Sequence, residues 1–130
     1  MEGKPSVIYI VDDDASVRTA LESLARSVGF EARGFASAAE FLTGEHGSRP
    51  ACVVLDLQLP DMHGLEVQRR LAKTDPDLMV VVLTGSWDDR TRHEALAAGA
   101  VSVLSKPLDP QILLEAMRRA LAGPAGEKRP

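Results

Sequence analysis

The sequence predicts an α/β fold: an open parallel sheet with helices on both faces. Two observations carry this. Short apolar runs rich in β-branched residues alternate five times with helix-like patterns. Three of the runs, VIYIV, CVVL and MVVVL, are apolar at every position, the mark of strands buried on both faces. Right-handed crossovers follow from that alternation.

In chain order, Val7–Val11 is the first expected strand. Val17, Leu21, Leu24 and Val28 then recur at helical spacing, with Asp14 placed to cap the start and Gly29 to end the helix. A weaker strand over Ala32–Phe35 precedes Ser37-Ala-Ala-Glu40, a capping box ahead of Phe41 and Leu42. Cys52–Leu55 is the third strand and Leu65–Leu71 the third helix. Met79–Leu83 is the fourth strand, and Asp89–Ala98 an alanine-rich, weakly amphipathic helix. Val101–Leu104 completes the strands. Asp109-Pro110, a cap followed by a proline at the first helical position, opens a last helix running through Leu121. The unit is expected to span 7–122, with a short tail over 1–6. GPAGEKRP, residues 123–130, reads as a disordered tail or linker stub.

Composition bounds the function. The 130 residues suit one domain, and 45% hydrophobic with 26% charged residues matches an ordinary globular chain. Fifteen basic against nineteen acidic residues, a net charge of −4, gives direct nucleic-acid binding little electrostatic basis. No apolar stretch reaches the ~20 residues that span a bilayer, so no membrane partner is expected. The lone Cys52 cannot form an internal disulfide, and Met1–Ser6 lacks a signal-peptide core, which together suggest a reducing cytoplasm.

In open α/β sheets the ligand site forms beyond the carboxyl ends of the strands. Here those ends read Asp12-Asp13-Asp14, Asp56, Thr84-Gly85-Ser86 and Ser105-Lys106-Pro107. Carboxylates ~5 Å apart repel by about 3 kcal/mol per pair at an effective dielectric near 20. Lys106 supplies one counter-charge, and Mg²⁺, a hard cation taking oxygen ligands, would supply the rest. Such a basin suits a phosphoryl group attacked by a carboxylate. Taken singly, each residue has a plainer reading: Asp14 is a helix cap, Asp56 a loop cap, Thr84 a turn residue and Lys106 a solvated lysine. Their combination argues otherwise. His46, His63 and His93 lack metal-ligand spacing and read as surface residues, Cys52 as core, and Trp87 as a weak signal for a partner surface.

The segments VIYIVDDDASVR, VVLDLQLPDMHGLE, VVLTGS and AAGAVSVLSKPL, with their spacing, resemble the receiver domain of two-component response regulators, from Val7 to Leu121. The resemblance is nearest to FixJ/NarL-type transcription regulators, which normally add a helix-turn-helix domain. The chain is thus expected to be a stand-alone receiver or a receiver fragment. The resemblance implies a flavodoxin-like (βα)5 sheet of order 2-1-3-4-5 and makes Asp56 the phosphoacceptor. Asp12, Asp13 and the backbone carbonyl of Gln58 become its companions at Mg²⁺. By the same resemblance Thr84 is the switch hydroxyl and Lys106 the phosphate-binding ammonium, while Pro60 and Gly64 form the turn after the acceptor. Lys106–Pro107 is expected to be cis, and Gln58 and Ser86 to set the lifetime of the phosphorylated state. Val103 stands where relatives often carry a switching Tyr or Phe. The implied partners are a sensor histidine kinase or phosphotransfer protein and, after phosphorylation, a second copy paired through the fourth helix, fifth strand and fifth helix.

Two rival classes remain. Asp12-x-Asp14-x-Ser16 approximates the nucleophile motif of haloacid-dehalogenase-type hydrolases, but the acidic pair that should follow the lysine is missing: Asp88-Asp89 precedes it. A phosphorylation-independent interaction module would usually have lost one of the residues that this chain retains.

Overall fold

The computed structural model describes residues 5–44, 51–85 and 88–127, of which 123–127 by backbone alone. Five strands, β1 (Val7–Val11), β2 (Glu31–Phe35), β3 (Ala51–Asp56), β4 (Met79–Thr84) and β5 (Ala100–Ser105), form one parallel sheet in the order β2-β1-β3-β4-β5. Between and after them run α1 (Ala15–Ser27), α2 (Ala38–Thr43), α3 (Gly64–Thr74), α4 (Asp89–Ala97) and α5 (Pro110–Glu127).

Side-chain alternation along the strands builds two cores from unbroken apolar runs. Val7, Tyr9, Val11, Val53, Leu55, Val80 and Val82 face a layer holding Phe41 of α2, Val67 and Leu71 of α3 and Ala95 of α4. Ile8, Ile10, Cys52, Val54, Val81 and Leu83 face Leu21 and Ala25 of α1 and Leu113, Met117 and Ala120 of α5. Each fully buried large side chain adds about 1.5–3 kcal/mol. Tyr9, Phe35 and Phe41 meet with ring centroids 5.3–6.1 Å apart, which anchors the six-residue α2 to the sheet. The Cys52 thiol is wholly enclosed, and burial pushes its pKa up to about 12.

The helix ends follow the sequence cues with two differences. Asp14 caps α1 by accepting the Ser16 and Val17 N–H groups, and Gly29 leaves that helix at φ 96°, in the left-handed region glycine tolerates. Ser37 accepts the Glu40 N–H as expected, but Glu40 Oε1 returns to Ala36 N–H rather than to Ser37, one residue earlier than a capping box requires. The second difference is α5, which continues to Glu127, past the Leu121 at which the apolar pattern of the expected helix ends. Gly123 and Pro124 read as stop signals, yet extending a helix that is already nucleated is far easier than starting one.

Gly64 is fixed by packing. A Cβ there would lie 2.7 Å from Leu57 Cα and 3.1 Å from the Asp56 carbonyl oxygen, and backbone cannot yield as a flexible side chain does. Gly64→Ala is expected to cost about 1–3 kcal/mol, measured as a lowered urea midpoint at unchanged slope.

Candidate functional site

Parallel register converts sequence-distant strand ends into neighbours. Val11 pairs with Leu55, so Asp12 leaves β1 level with Asp56 at the end of β3. Asp56 in turn pairs with Leu83, and Thr84 with Ser105, which delivers Lys106 to the same rim. The chain turns from β1 outward to β2 and then back across to β3, so this rim lies at the point where the strand order reverses.

Asp12 and Asp56 are buried, while Asp13 is exposed, and one carboxylate oxygen from each of the three lies within 4.8 Å of the others. Lys106 Nζ donates to Asp12 Oδ2 at 2.9 Å and to Asp56 Oδ2 at 3.4 Å. The remaining oxygens are also engaged: Asp12 Oδ1 accepts the Asp14 N–H at 2.9 Å, and Asp56 Oδ1 the Gln58 N–H at 3.0 Å. These bonds fix both carboxylates in orientation. Burial pushes the Asp56 pKa up, Asp12 adds to the rise, and the Gln58 N–H and Lys106 oppose it. For Lys106 burial works downward, but the two carboxylates outweigh it and hold the ammonium above its ordinary value.

Three carboxylates against one ammonium leave a formal charge of −2 in this cluster. At an effective dielectric of 20 the lysine attracts each partner by about 5 kcal/mol, and the two attractions together exceed the repulsion between the two buried carboxylates. Among the described residues no cation pairs with Asp13. An all-oxygen donor set with a charge of −2 fits a hard divalent cation such as Mg²⁺.

The structure brings Asp12, Asp13, Asp56, Thr84 and Lys106 to one rim. Thr84 is buried, and its carbonyl accepts the Lys106 N–H at 2.9 Å, tying β4 to the lysine loop. Gln58 is exposed, with its Oε1 3.6 Å from where a Cβ on Gly85 would stand, so its amide lies between the β3 and β4 loops. Pro60 is exposed and Gly64 buried in the turn that follows, the Lys106–Pro107 peptide is cis, and Val103 is half-buried against the α2/α3/α4 core. Ser86, Trp87 and His46 lie outside the described residues. His93 is exposed, and His63, also exposed, caps α3 by accepting the Leu65 N–H on Nδ1 at 3.1 Å.

Sequence reasoning passed over two residues. Arg18 Nη1 donates to the Asp12 carbonyl at 2.8 Å and braces the loop that carries the acidic pair. The signal was a cation near the start of α1, where the helix dipole disfavours one. Asp61, in the loop after the acceptor, accepts the Ala38 and Ala39 N–H groups at 3.1 and 2.9 Å and so caps α2 alongside Ser37. Those backbone donors hold its carboxyl below the usual range.

Residues 8–118 match the family described as the response regulator receiver domain. The response regulator protein TmoT of Ectopseudomonas mendocina is 40% identical over 121 residues, covering 93% of this chain and 55% of that protein. The transcriptional regulatory protein FixJ of Rhizobium meliloti (strain 1021) is 35% identical over 113 residues, 87% of this chain and 55% of FixJ. Among solved structures, a CheY-like receiver domain protein from Methanospirillum hungatei JF-1 superimposes with a TM-score of 0.84 at 29% identity, covering 91% of this chain and 94% of that one. The chain spans about half the length of the two curated relatives.

Proposed function

The chain belongs to the response regulator receiver family of two-component systems, and from that premise we propose that it takes a phosphoryl group from a sensor histidine kinase, or from a phosphotransfer protein, onto Asp56. The carrying observation is the pairing of two buried, oriented carboxylates with one lysine, beside a third carboxylate that no cation among the described residues pairs with. Family membership removes the hydrolase alternative, in which Asp12 would be the nucleophile.

In this reading a carboxylate oxygen of Asp56 attacks phosphorus, an O–P bond forms, and the P–N bond to the donor imidazole breaks. The imidazole keeps the electron pair and takes a proton from solvent. Lys106 moves from carboxylate to phosphoryl oxygen, a shift its double contact already prepares. Asp12, Asp13, Asp56 and the Gln58 carbonyl would hold Mg²⁺, which when bound neutralises charge on the phosphoryl oxygens. Thr84 donates its hydrogen bond to a phosphoryl oxygen, and Gln58 and Ser86 govern the approach of the water that later attacks phosphorus, breaking the bond to Asp56, which keeps the electron pair as inorganic phosphate leaves, so the domain catalyses its own phosphorylation and dephosphorylation.

A nearly all-apolar groove of about 420 Å³ beside Lys106, walled by Val17, Leu21, Leu24, Leu108 and Pro110, supports docking of the phosphodonor's helices next to the acceptor. A half-exposed Ile112 on α5, near Val103, supports a phosphorylation-dependent homodimer through α4, β5 and α5. No helix among the described residues is long and apolar enough to cross a membrane, and the free, enclosed Cys52 suits a reducing cytoplasm. Transcription control would then come from a further domain, as in FixJ-type regulators.

Incubation with acetyl phosphate is expected to add one phosphoryl group, located on Asp56 by mass spectrometry, with Mg²⁺ and not with EDTA. Mg²⁺ alone should raise Tm: at about 100 times Kd a ligand stabilises by about 2.7 kcal/mol, several degrees here. Labelling that persists in EDTA, or an unchanged Tm at saturating Mg²⁺, counts against the reading.

A further inference from the structure

Helix α4 is thinly anchored. Ala95 is its one fully buried residue out of nine, and Arg90, Arg92, His93 and Glu94 are exposed. Its last turn leaves one carbonyl aside, because the Ala98 N–H goes to Glu94 O and the Gly99 N–H to Leu96 O, both at 3.0 Å. The Ala95 carbonyl instead accepts from Gln68 Nε2 of α3, at 3.0 Å and 27 residues away in sequence. Gln68 is only 2% exposed. Its other polar atom, Oε1, is buried with no hydrogen-bond partner among the described residues. Beside it lies a cavity of about 80 Å³ bounded by Leu71, Leu78, Val80, Ala98 and Gly99, where the β4–β5 pairing shifts register at Val80/Val81.

The same side chain therefore contributes two opposed effects. The bond to Ala95 stabilises the docked helix and answers a carbonyl that would otherwise be left over, and Oε1, which no described protein group answers, offsets part of that gain. Movement of α4 away from α3 would let water reach both groups and abolish the second effect. We propose that Gln68 is a positioning residue for α4, a latch that fixes its C-terminal turn in the resting protein by a narrow margin. The coupling of this latch to the acceptor rests on the reading of Asp56 as the phosphorylation site. Val80 and Thr84 are both in β4, so a rearrangement at the phosphorylated rim reaches the latch through one strand. An unlatched chain spends more time in the conformation that phosphorylation favours, and so acquires the group faster.

The test is amide hydrogen exchange on the full chain and on two variants, Gln68→Met, which keeps the volume, and Gln68→Glu, which cannot donate when ionised. Exchange across residues 92–99 is expected to rise roughly 5-fold in Gln68→Met, the factor one net hydrogen bond is worth, and at least as much in Gln68→Glu. Amides of β1 and β3 should be unaffected. Unchanged α4 exchange in both variants overturns the latch, and so does an equal rise in β1 and β3, which would make Gln68 an ordinary core residue. In a second arm, Gln68→Met should be labelled by acetyl phosphate two- to five-fold faster than the parent chain. Faster α4 exchange without faster labelling overturns the coupling. If the parent chain takes no label at all, the phosphoacceptor reading fails together with the coupling, and the exchange result alone decides the latch.

Discussion

Asp56→Asn is expected to reduce labelling by acetyl phosphate to background, a loss of at least about 10³-fold, while making the metal-free protein more stable. The amide matches the carboxylate in size and its oxygen can still accept the Gln58 N–H, but it carries no nucleophilic charge. The gain in stability comes from burial. The folded-state pKa of Asp56 is raised, so the folded chain binds that proton more tightly than the unfolded chain does. Stability from this group is then present at acid pH and is lost as pH rises through the raised value, leaving the ionised form destabilising at neutrality. A neutral amide removes that cost, and a gain of about 1–2 kcal/mol is in the range for such repairs. Intact-mass labelling and a thermal melt in EDTA check the two halves, and full labelling of the variant would reassign the acceptor.

Lys106→Met should have the opposite effect on the fold. Asp12 and Asp56, 1% and 4% exposed, would keep their charges and lose the cation between them. Breaking a buried pair costs about 3–5 kcal/mol, and because the lysine is 27% exposed a value of about 2–3 is expected. Mg²⁺ should recover much of this by replacing the missing charge. The pH dependence follows from the raised Lys106 pKa: its contribution is complete below the ordinary lysine value of 10.5 and is lost as pH rises through the higher folded value. The parent chain should accordingly weaken in that alkaline window, and Lys106→Met should lack this decline. Labelling should fall about 10²-fold or more, the usual cost of removing one preorganised donor from a site that stabilises developing charge. Urea unfolding at neutral and alkaline pH measures the stability terms. An equally stable variant with the same alkaline decline would show that the ammonium does not hold the basin together.

The strand cores were legible because burial on both faces selects β-branched residues at every position, and VIYIV, CVVL and MVVVL have no other ready explanation. The basin was legible for a related reason. β3 and β4 end on their polar residues and β1 is followed at once by Asp12, and parallel pairing needs only a common register to bring those ends level. Strand order was not written in periodicity: nothing local in β1 says that β2 and β3 flank it, and that expectation came from the family resemblance. Contacts that leap between elements were equally silent. Asp61 reads as a turn aspartate until α2 is seen 22 residues away, and Gln68 as a solvated helix residue until α4 covers it. Where α5 ends also escaped local rules, because Gly123 and Pro124 weigh against helix without being able to veto it.

Cys52 gives the protein an experimental convenience of its own. A thiol wholly enclosed in β3 and driven to a pKa of about 12 is almost entirely protonated at neutral pH and inaccessible to alkylating reagents. The natural sequence thus behaves toward maleimides as if it had no cysteine. A single cysteine introduced at an outward position such as Arg90, whose side chain is 88% exposed on α4, would be the one reactive thiol in the folded chain. A fluorophore or spin label could be attached there with the core left in its native composition, and the motion of that helix followed in real time.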